Sequence, residues 1–511
     1  MTNPESLLGT VHLPPYYKEV RHISRTARAY HDLVPYPSWS AMTQNWKIEE
    51  HGPYPRCRPF VQKCVNKGAS FLFGKPVTFR VEEVADEPDE KRKEAKSKNL
   101  DDLNHLVNQI WTDNNMTRRS RMSAVIGARS GAVYPKFSYT EEGGVKIDIL
   151  DPAEQVRCYW DEDDIEKLLM VRIQYPKFDA VSGQWAWYRE DCTDQTCIYY
   201  KPIFMMDLTQ DAFKDPYQFS DLADTYEKWE IESRTPNPFG IINGWYIKNR
   251  DNGTQYGEGD LWSQFRTIDQ INFTYNLAHI DNQKSIDPTK AFIDLSAGDG
   301  DQPQTGGDKK TIVLESTNAE DGKQGKIEVI QTNAALRPHL DDFSKDLYFD
   351  FLGAVGSVDL DPEDVTNKGN LTSAVMLQMF APLVERTDEK RQCYGEDGYC
   401  VFFERMAIGL ANLGVPGWRG DIDVQIVWPP YFNETEEEKT LLANRQISLV
   451  QSNLTTHDRA VRAVAKSDNV LDIDVLLKET EAAKTEAEAK EAKEQKLMNS
   501  AMERTKKSMG G

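Results

Sequence analysis

The chain of 511 residues carries none of the short signatures that mark the common enzyme classes. There is no GxxxxGK[ST], hence no phosphate-cradling loop and no reason to expect ATP hydrolysis. No GxGxxG opens a helix after a strand, no HExxH sets two histidines one helical turn apart, and no GxSxG forms a nucleophile elbow. The eight histidines, at 12, 22, 31, 51, 105, 279, 339 and 457, show no ligand spacing. Residues 296–308 hold Asp299 and Asp301 but lack the sixth-position glycine and distal glutamate of a calcium loop. CxxC is missing, and the seven cysteines are an odd number. In a chain of this size that reads as reduced thiols and folding in a cytosol. No stretch approaches the roughly 18 apolar residues of a membrane span. The opening MTNPESLLGTVHLPPYY lacks the basic-then-apolar order of a signal peptide. No cofactor, no metal and no membrane partner is expected.

Apolar residues are in short supply as well, at 39%. That is low for a compact enzyme and ordinary for an elongated or assembled protein. Positive charge is outweighed too: 61 Lys and Arg against 82 Asp and Glu give −21. This excludes a protein that grips nucleic acid with its whole surface. It is compatible with a smooth acidic passage through which DNA moves without sticking. Residues 1–80 run against the total, with eleven Lys and Arg to five acids. Their scatter suits contact with an acidic neighbouring subunit better than contact with DNA.

What is present is periodicity. The length allows roughly three domains. Residues 57–73 repeat apolar side chains at three and four (Phe60, Val61, Cys64, Val65, Ala69, Leu72), so a helix is expected up to Gly74, then a strand through Val77, Phe79 and Val81. Residues 82–98 (EEVADEPDEKRKEAKSK) have almost nothing to bury and read as an exposed loop. A helix over 100–111 turns Leu103, Leu106, Val107 and Ile110 inward. Arg118, Arg119 and Arg121 open the next helix, where they could hold phosphate or form an ion-pair face. Residues 132–231 read as strands, over 133–139, 145–150, 168–175, 185–188, 196–201 and 225–232. The acidic turn Asp161–Asp164 is either a metal site or a solvated turn. A helix with Asp260 as its N-cap carries Leu261, Phe265, Ile268, Ile271, Tyr275 and Ala278 on one stripe. Strands over 290–295, 311–314 and 326–331 form a small β-rich tip. The next helix begins at Pro338, suited to a first helical position. Leu340, Phe343, Leu347 and Phe351 are its stripe.

The chain is organised around residues 338–413, in which this helix is joined through a polar loop to a much longer one. Gly356–Asn370 (GSVDLDPEDVTNKGN) is that loop, acidic and free of aromatics, and the long helix runs from 371 to 413 with a kink at Pro382. Ile422–Trp428 alternates as a strand that returns to the earlier β region. Residues 435–465 read as helical, with Thr435 and Glu438 as a capping box. Residues 476–508 are an exposed helix or tail. The carboxylates Asp359, Asp361, Glu363 and Asp364 are the one place where a divalent ion could serve a nuclease. The alternative for them is an acidic solvated loop.

Several stretches in order carry a likeness: Leu72-Phe73-Gly74-Lys75-Pro76-Val77; Phe239-Gly240; Tyr256-Gly257-Glu258-Gly259-Asp260-Leu261 followed by Ile268-Asp269 and Asn272; and Lys368-Gly369-Asn370-Leu371-Thr372-Ser373-Ala374 with Pro382-Leu383 beyond. Together they cover roughly residues 55 to 430. In this the chain resembles the portal proteins of tailed bacteriophages, in particular those of siphophages of Gram-positive hosts.

The resemblance implies an α+β portal fold and no enzyme. It implies a wing over residues 1–255, stem helices over 256–284 and 338–355, a clip over 285–337 and a tunnel loop over 356–370. A long helix and return strand would cover 371–432, and a crown with a helical tail 433–511. It further implies a homo-oligomeric ring of about twelve subunits, placed in the virion at one capsid vertex after assembly in the host cytoplasm. Double-stranded DNA would pass through the ring. The partners implied are the terminase large subunit, a head-completion adaptor, and the major capsid and scaffolding proteins. Asp359, Asp361, Asn367 and Lys368 would face DNA. Asp299, Asp301, Gln304, Lys309 and Lys310 would sit at the clip tip against terminase or connector. Asn367 and Lys368 could instead cap the long helix. The alternatives are a metal-dependent DNA-processing enzyme and a minor capsid interaction protein.

Overall fold

The computed structural model describes residues 4–10, 12–33, 57–83, 90–140, 142–204, 220–286, 289–293, 295–297, 314–316, 326–330, 336–359, 373–432, 436–452 and 454–467. The chain divides into two compact units, one of residues 1–359 and 382–428, the other of 360–381 and 429–511. Helices and antiparallel sheets occupy separate stretches, so the class is α+β.

After a four-residue helical turn, Pro4–Leu7, the first unit continues with α1 (Tyr17–His31) and α2 (Phe60–Phe73), then β1 (Thr78–Glu83). Helix α3 spans Glu90–Asp113 and α4 spans Met116–Ser130. The segment expected as a loop to Lys98 is therefore helical from Glu90. It is rich in Glu, Lys and Ala, which favour a helix without leaving an apolar stripe to read. Strands β2 (Ala132–Tyr139) and β3 (Val145–Leu150) pair antiparallel. A larger sheet is built from β4 (Val156–Trp160), β5 (Leu168–Asp179), β6 (Gln184–Cys192), β7 (Thr196–Tyr200), β8 (Ile203–Phe204) and β9 (Ile231–Pro236), with β9 at an edge. Residues 220–225 form a short helix, α5. The strand expected over 225–232 starts only at Ile231, and β4 has no counterpart among the expected strands.

After β10 (Ile247–Lys248), helix α6 runs Phe265–Ile286 and α7 runs Leu336–Ala354, and the two pack together. Between them, β11 (Thr289–Ile293) pairs with β14 (Lys326–Ile330), and β12 (Leu295–Ala297) with β13 (Leu314–Ser316). Helix α7 begins two residues ahead of Pro338. Its expected stripe is buried only at its C-terminal end: Phe351 is fully buried, whereas Phe343 is exposed.

The expected long helix is interrupted. Helix α8 (Ser373–Met379) belongs to the second unit. After a break at Phe380, beside Pro382, α9 (Ala381–Tyr394) leads through a π-helical segment, Gly395–Cys400, into α10 (Val401–Asn412). Strand β15 (Ile422–Val427) then pairs with β1 over six residues, Thr78 opposite Val427 and Glu83 opposite Ile422. It does not join the strands of 132–231. In the second unit, α11 (Glu436–Gln451) and α12 (His457–Ser467) form a pair. Thr435 lies outside the described residues. Glu438 Oε1 accepts from the Ser373 amide (2.9 Å) and hydroxyl (2.8 Å), capping the start of α8.

The main core joins α2, β1, α3, α4, the π segment, α10 and β15 around Phe73, Phe79, Trp111, Tyr399 and Phe403. Phe79 meets Phe403 at 4.7 Å between ring centroids and Trp111 at 4.9 Å, the range in which aromatic pairs add to simple burial. A second cluster gathers α1, α2, α6 and α7 around Phe60, Ile268, Ile271 and Phe351.

Buried ion pairs fasten the N-terminal segment to the sheet. Arg157 forks onto Asp224 at 2.9 and 3.0 Å, and Arg21 of α1 binds the same carboxylate. Arg25 forks onto Glu154 at 2.7 and 2.9 Å. Arg172 and Arg189 share Asp191, which also accepts from Tyr200 Oη and the Gly9 amide. Part of the basic surplus of the first 80 residues is thus consumed inside the chain. Burial pushes the carboxyls of Asp191 and Asp224 up, but the paired guanidinium groups win and hold both below the usual range. Removing one member of such a cluster leaves buried charge uncompensated. Asp224→Asn is expected to cost about 3–5 kcal/mol, read as lost amide hydrogen-exchange protection along α1. Unchanged protection there would show that the pairing does not hold the helix.

Candidate functional site

Helix α7 ends in a tight cap. The Ser357 amide reaches back to Leu352 O (2.9 Å) and Gly356 sits at φ +59°, a left-handed position where side chains are strained. A Cβ on Gly356 would lie 3.0 Å from Arg386 Cβ, so a larger residue would also need α9 to give way slightly. The next residues are pinned. Lys67 of α2 donates to Val358 O, and Tyr348 Oη donates to Asp359 Oδ2 at 2.6 Å. Burial pushes the Lys67 ammonium down, and the Asp359 carboxylate partly offsets this. Lys67 thus brings a cation to the start of the loop from a distant helix. Nothing in the loop's own sequence announces it.

Asp359 is the only one of the proposed DNA-facing residues among those described, and its carboxylate is engaged by Tyr348. Asp361, Asn367 and Lys368 lie outside the described residues, as do Asp299, Asp301, Gln304, Lys309 and Lys310. Glu363 and Asp364 lie outside them too. Among the described residues no three His, Cys, Asp or Glu side chains gather as a metal site. The acidic turn at 161–164 is closed by its own bonds. Asp161 accepts from the Asp163 amide (3.2 Å) and Lys167 Nζ (3.1 Å). No helix among the described residues is long and apolar enough to cross a membrane.

Beside the loop root lies the strongest charge cluster of this region. Asp260 is not the N-cap of α6, which begins five residues later. Its largely buried carboxylate, 12% exposed, takes Lys390 Nζ at 2.6 Å, Arg386 Nη2 at 3.4 Å and Asn249 Nδ2 at 3.0 Å. Its amide donates to Ala128 O at 2.8 Å, and Trp262 Nε1 donates to Arg129 O at 2.8 Å. The turn before α6 is thereby tied to the end of α4 and to α9. Gly257, at φ +69°, allows the approach, since a Cβ there would come within 2.6 Å of Gly131 O. Burial raises the Asp260 carboxyl, but Lys390 and Arg386 outweigh it and leave it below its ordinary value. The Lys390 ammonium is pushed down by burial more than Asp260 lifts it. A cavity of about 20 Å³, room for roughly one water, opens between this cluster, Cys64 and Ser357.

The sequence model of one family, described as phage portal protein, SPP1 Gp6-like, matches residues 56–428. The chain belongs to this family. No curated protein matches it. The portal match ends at Trp428, where the first compact unit also ends, and it takes in α2, the Asp260 cluster, α7 and α9. The Tyr256–Leu261 motif that carries the portal resemblance is the turn built around Asp260. Its acidic residue is legible as special in the sequence. Its partners, 126 and 130 residues further on, are not.

In the portal chain, Asp260→Asn leaves the buried Lys390 and the partly exposed Arg386 around a neutral group and is expected to destabilise the first unit by about 3–5 kcal/mol. Lys390→Met combined with Asp260→Leu should cost less than the two single changes together, a coupling that a double-mutant cycle measures. Because the folded carboxyl lies below its unfolded value, its stabilisation is complete above about pH 4 and is lost as pH falls through the lower folded value. Acid denaturation of Asp260→Asn should therefore be less steep there than that of the wild type. Additive single changes, or identical acid profiles, would refute the pairing.

Proposed function

We propose that this portal protein is one subunit of a ring-shaped channel at a single capsid vertex, through which double-stranded DNA is packaged and later ejected. It acts as a conduit without catalytic chemistry of its own. The observation that supports this best is the helix pair α6/α7. Its inner side is filled by Ile268, Ile271, Phe351 and Leu352, yet Phe273, Leu277, Phe343 and Phe349 remain exposed, Phe349 at 63%. A helix pair apolar on more than one side calls for a further partner. A head-to-tail ring supplies one by placing a second copy against each flank.

In this reading α6 and α7 are the stem, 285–337 is the clip that docks the terminase large subunit and then the head-completion adaptor, and the wing meets major capsid and scaffolding proteins. The loop of 356–370 approaches DNA. Tyr348 holds Asp359 and Lys67 holds the Val358 carbonyl at its root, and Asp361, Asn367 and Lys368 face the duplex beyond it. A net charge of −21 per copy gives a ring that repels the phosphate backbone, so DNA slides rather than binds.

Electron microscopy of the purified protein is expected to show rings of about twelve subunits with a hole wide enough for a duplex. Phe273→Asp with Phe349→Asp should keep the monomer's circular dichroism and abolish the rings. Rings that persist in this variant would remove α6/α7 as the subunit contact, and a wild type that never forms rings, even with scaffolding and coat protein, would sink the reading. Lys368→Ala should leave ring assembly intact and alter the amount of DNA packaged. If it abolishes assembly instead, the loop is a structural contact and not the one facing DNA.

A further inference from the structure

Strands β6 and β7 are joined by the two-residue turn Asp194–Gln195, and their register sets Cys192 directly opposite Cys197. The neighbouring pair is closed by a bond from the Thr193 amide to Thr196 O (2.9 Å). Hydrogen-bonded and non-hydrogen-bonded pairs alternate along an antiparallel ladder. Cys192 and Cys197 therefore form a non-hydrogen-bonded pair, where facing Cα atoms are about 4.5 Å apart and side chains are closest. A disulfide accepts Cα separations of about 4.4–6.8 Å, so a bond can close here without moving the backbone. Both cysteines are reduced and buried.

We propose that Cys192 and Cys197 are an oxidisable dithiol that hydrogen peroxide closes into a cross-strand disulfide, a modification site in the sheet.

Burial and the Glu190 carboxylate oppose ionisation of the pair, while Lys136, which is ion-paired to Glu190, favours it. The thiolate of either cysteine attacks one peroxide oxygen and becomes a sulfenic acid, and the departing hydroxide takes up a proton to leave as water. The facing sulfur then displaces the second oxygen, also as water, as the S–S bond forms. Two thiols are oxidised and one peroxide is reduced to two waters. Cys158, by contrast, sits alone in an apolar site that pushes its thiol well up, and it has no facing cysteine in the β4–β5 ladder. The bond would staple the turn whose Thr193 carbonyl accepts from Asn237 Nδ2 (2.8 Å), next to the edge strand β9.

The test treats the full-length protein with hydrogen peroxide, quenches in acid, denatures, alkylates and digests it. All but two of its seven cysteines should alkylate, and the peptide holding both Cys192 and Cys197 should be lighter by two hydrogens and be restored by dithiothreitol. Cys192→Ser and Cys197→Ser should each accumulate, at the cysteine that is left, a sulfenic acid that dimedone traps. Full alkylation after peroxide, a bond to any other cysteine, or a sulfinic acid at Cys197 in the wild type would overturn the proposal.

Discussion

The geometry of the region that precedes the loop depends on one buried carboxylate. Asp260 lies beside the second core cluster, between an ammonium at 2.6 Å and a guanidinium at 3.4 Å. Taking three charges out of water costs more than a surface pair returns, so the arrangement adds little net stability compared with apolar residues of the same volume. What it adds is selection. Only one placement of the turn before α6 against α9 satisfies the carboxylate, and any slip of either element strands a charge in the interior. Because the same turn donates to Ala128 O and Arg129 O, the entry of α6, the end of α4 and the first turns of α9 are positioned together.

The same device recurs in the sheet. Asp224 is shared by Arg21 and Arg157, and Asp191 by Arg172 and Arg189. With only 39% apolar residues, the chain cannot rely on one large core for all of its long-range contacts. Buried arginine forks fix the N-terminal segment where a compact enzyme would use more leucine. Arginine suits this role because its planar fork meets a carboxylate at two points and tolerates burial without losing its charge.

How much of the fold is legible in the sequence depends on where the information sits. Local periodicity places α2 and the alternation Val77, Phe79, Val81, because both patterns are complete within a short window and the side chains they mark are mostly buried. It fails where the pattern is silent or the partner is remote. The first turns of α3 carry charge and no stripe. The pairing of β15 with β1 joins residues from opposite ends of the first unit, and alternation in Ile422–Val427 says only that some sheet edge receives it. Asp260 looks like the cap of the helix beside it, since that is what an acid near a helix start most often is. It instead serves elements elsewhere in the chain, and Glu438 likewise reaches a remote element, the start of α8. The π segment at Gly395–Cys400 has no signal beyond its two glycines. Gly398 there has no room for a side chain, as a Cβ would come within 2.6 Å of Cys393 O.

Charge balance links these contacts to the conduit reading. The buried cations of the first unit are matched inside it: Arg21, Arg157, Arg172, Arg189 and Lys390 all face carboxylates at ion-pair distance. Positive charge neutralised in this way is withheld from phosphate. In the conduit reading, the excess of −21 would then make a ring of such subunits repel the phosphate backbone. Sliding then needs no special surface, only a loop whose root is rigid. Lys67 and Tyr348 hold residues 358 and 359 from two different helices, so the loop starts from a fixed point. In the conduit reading, a weak contact in a repulsive field would let a polyanion pass in either direction without being held.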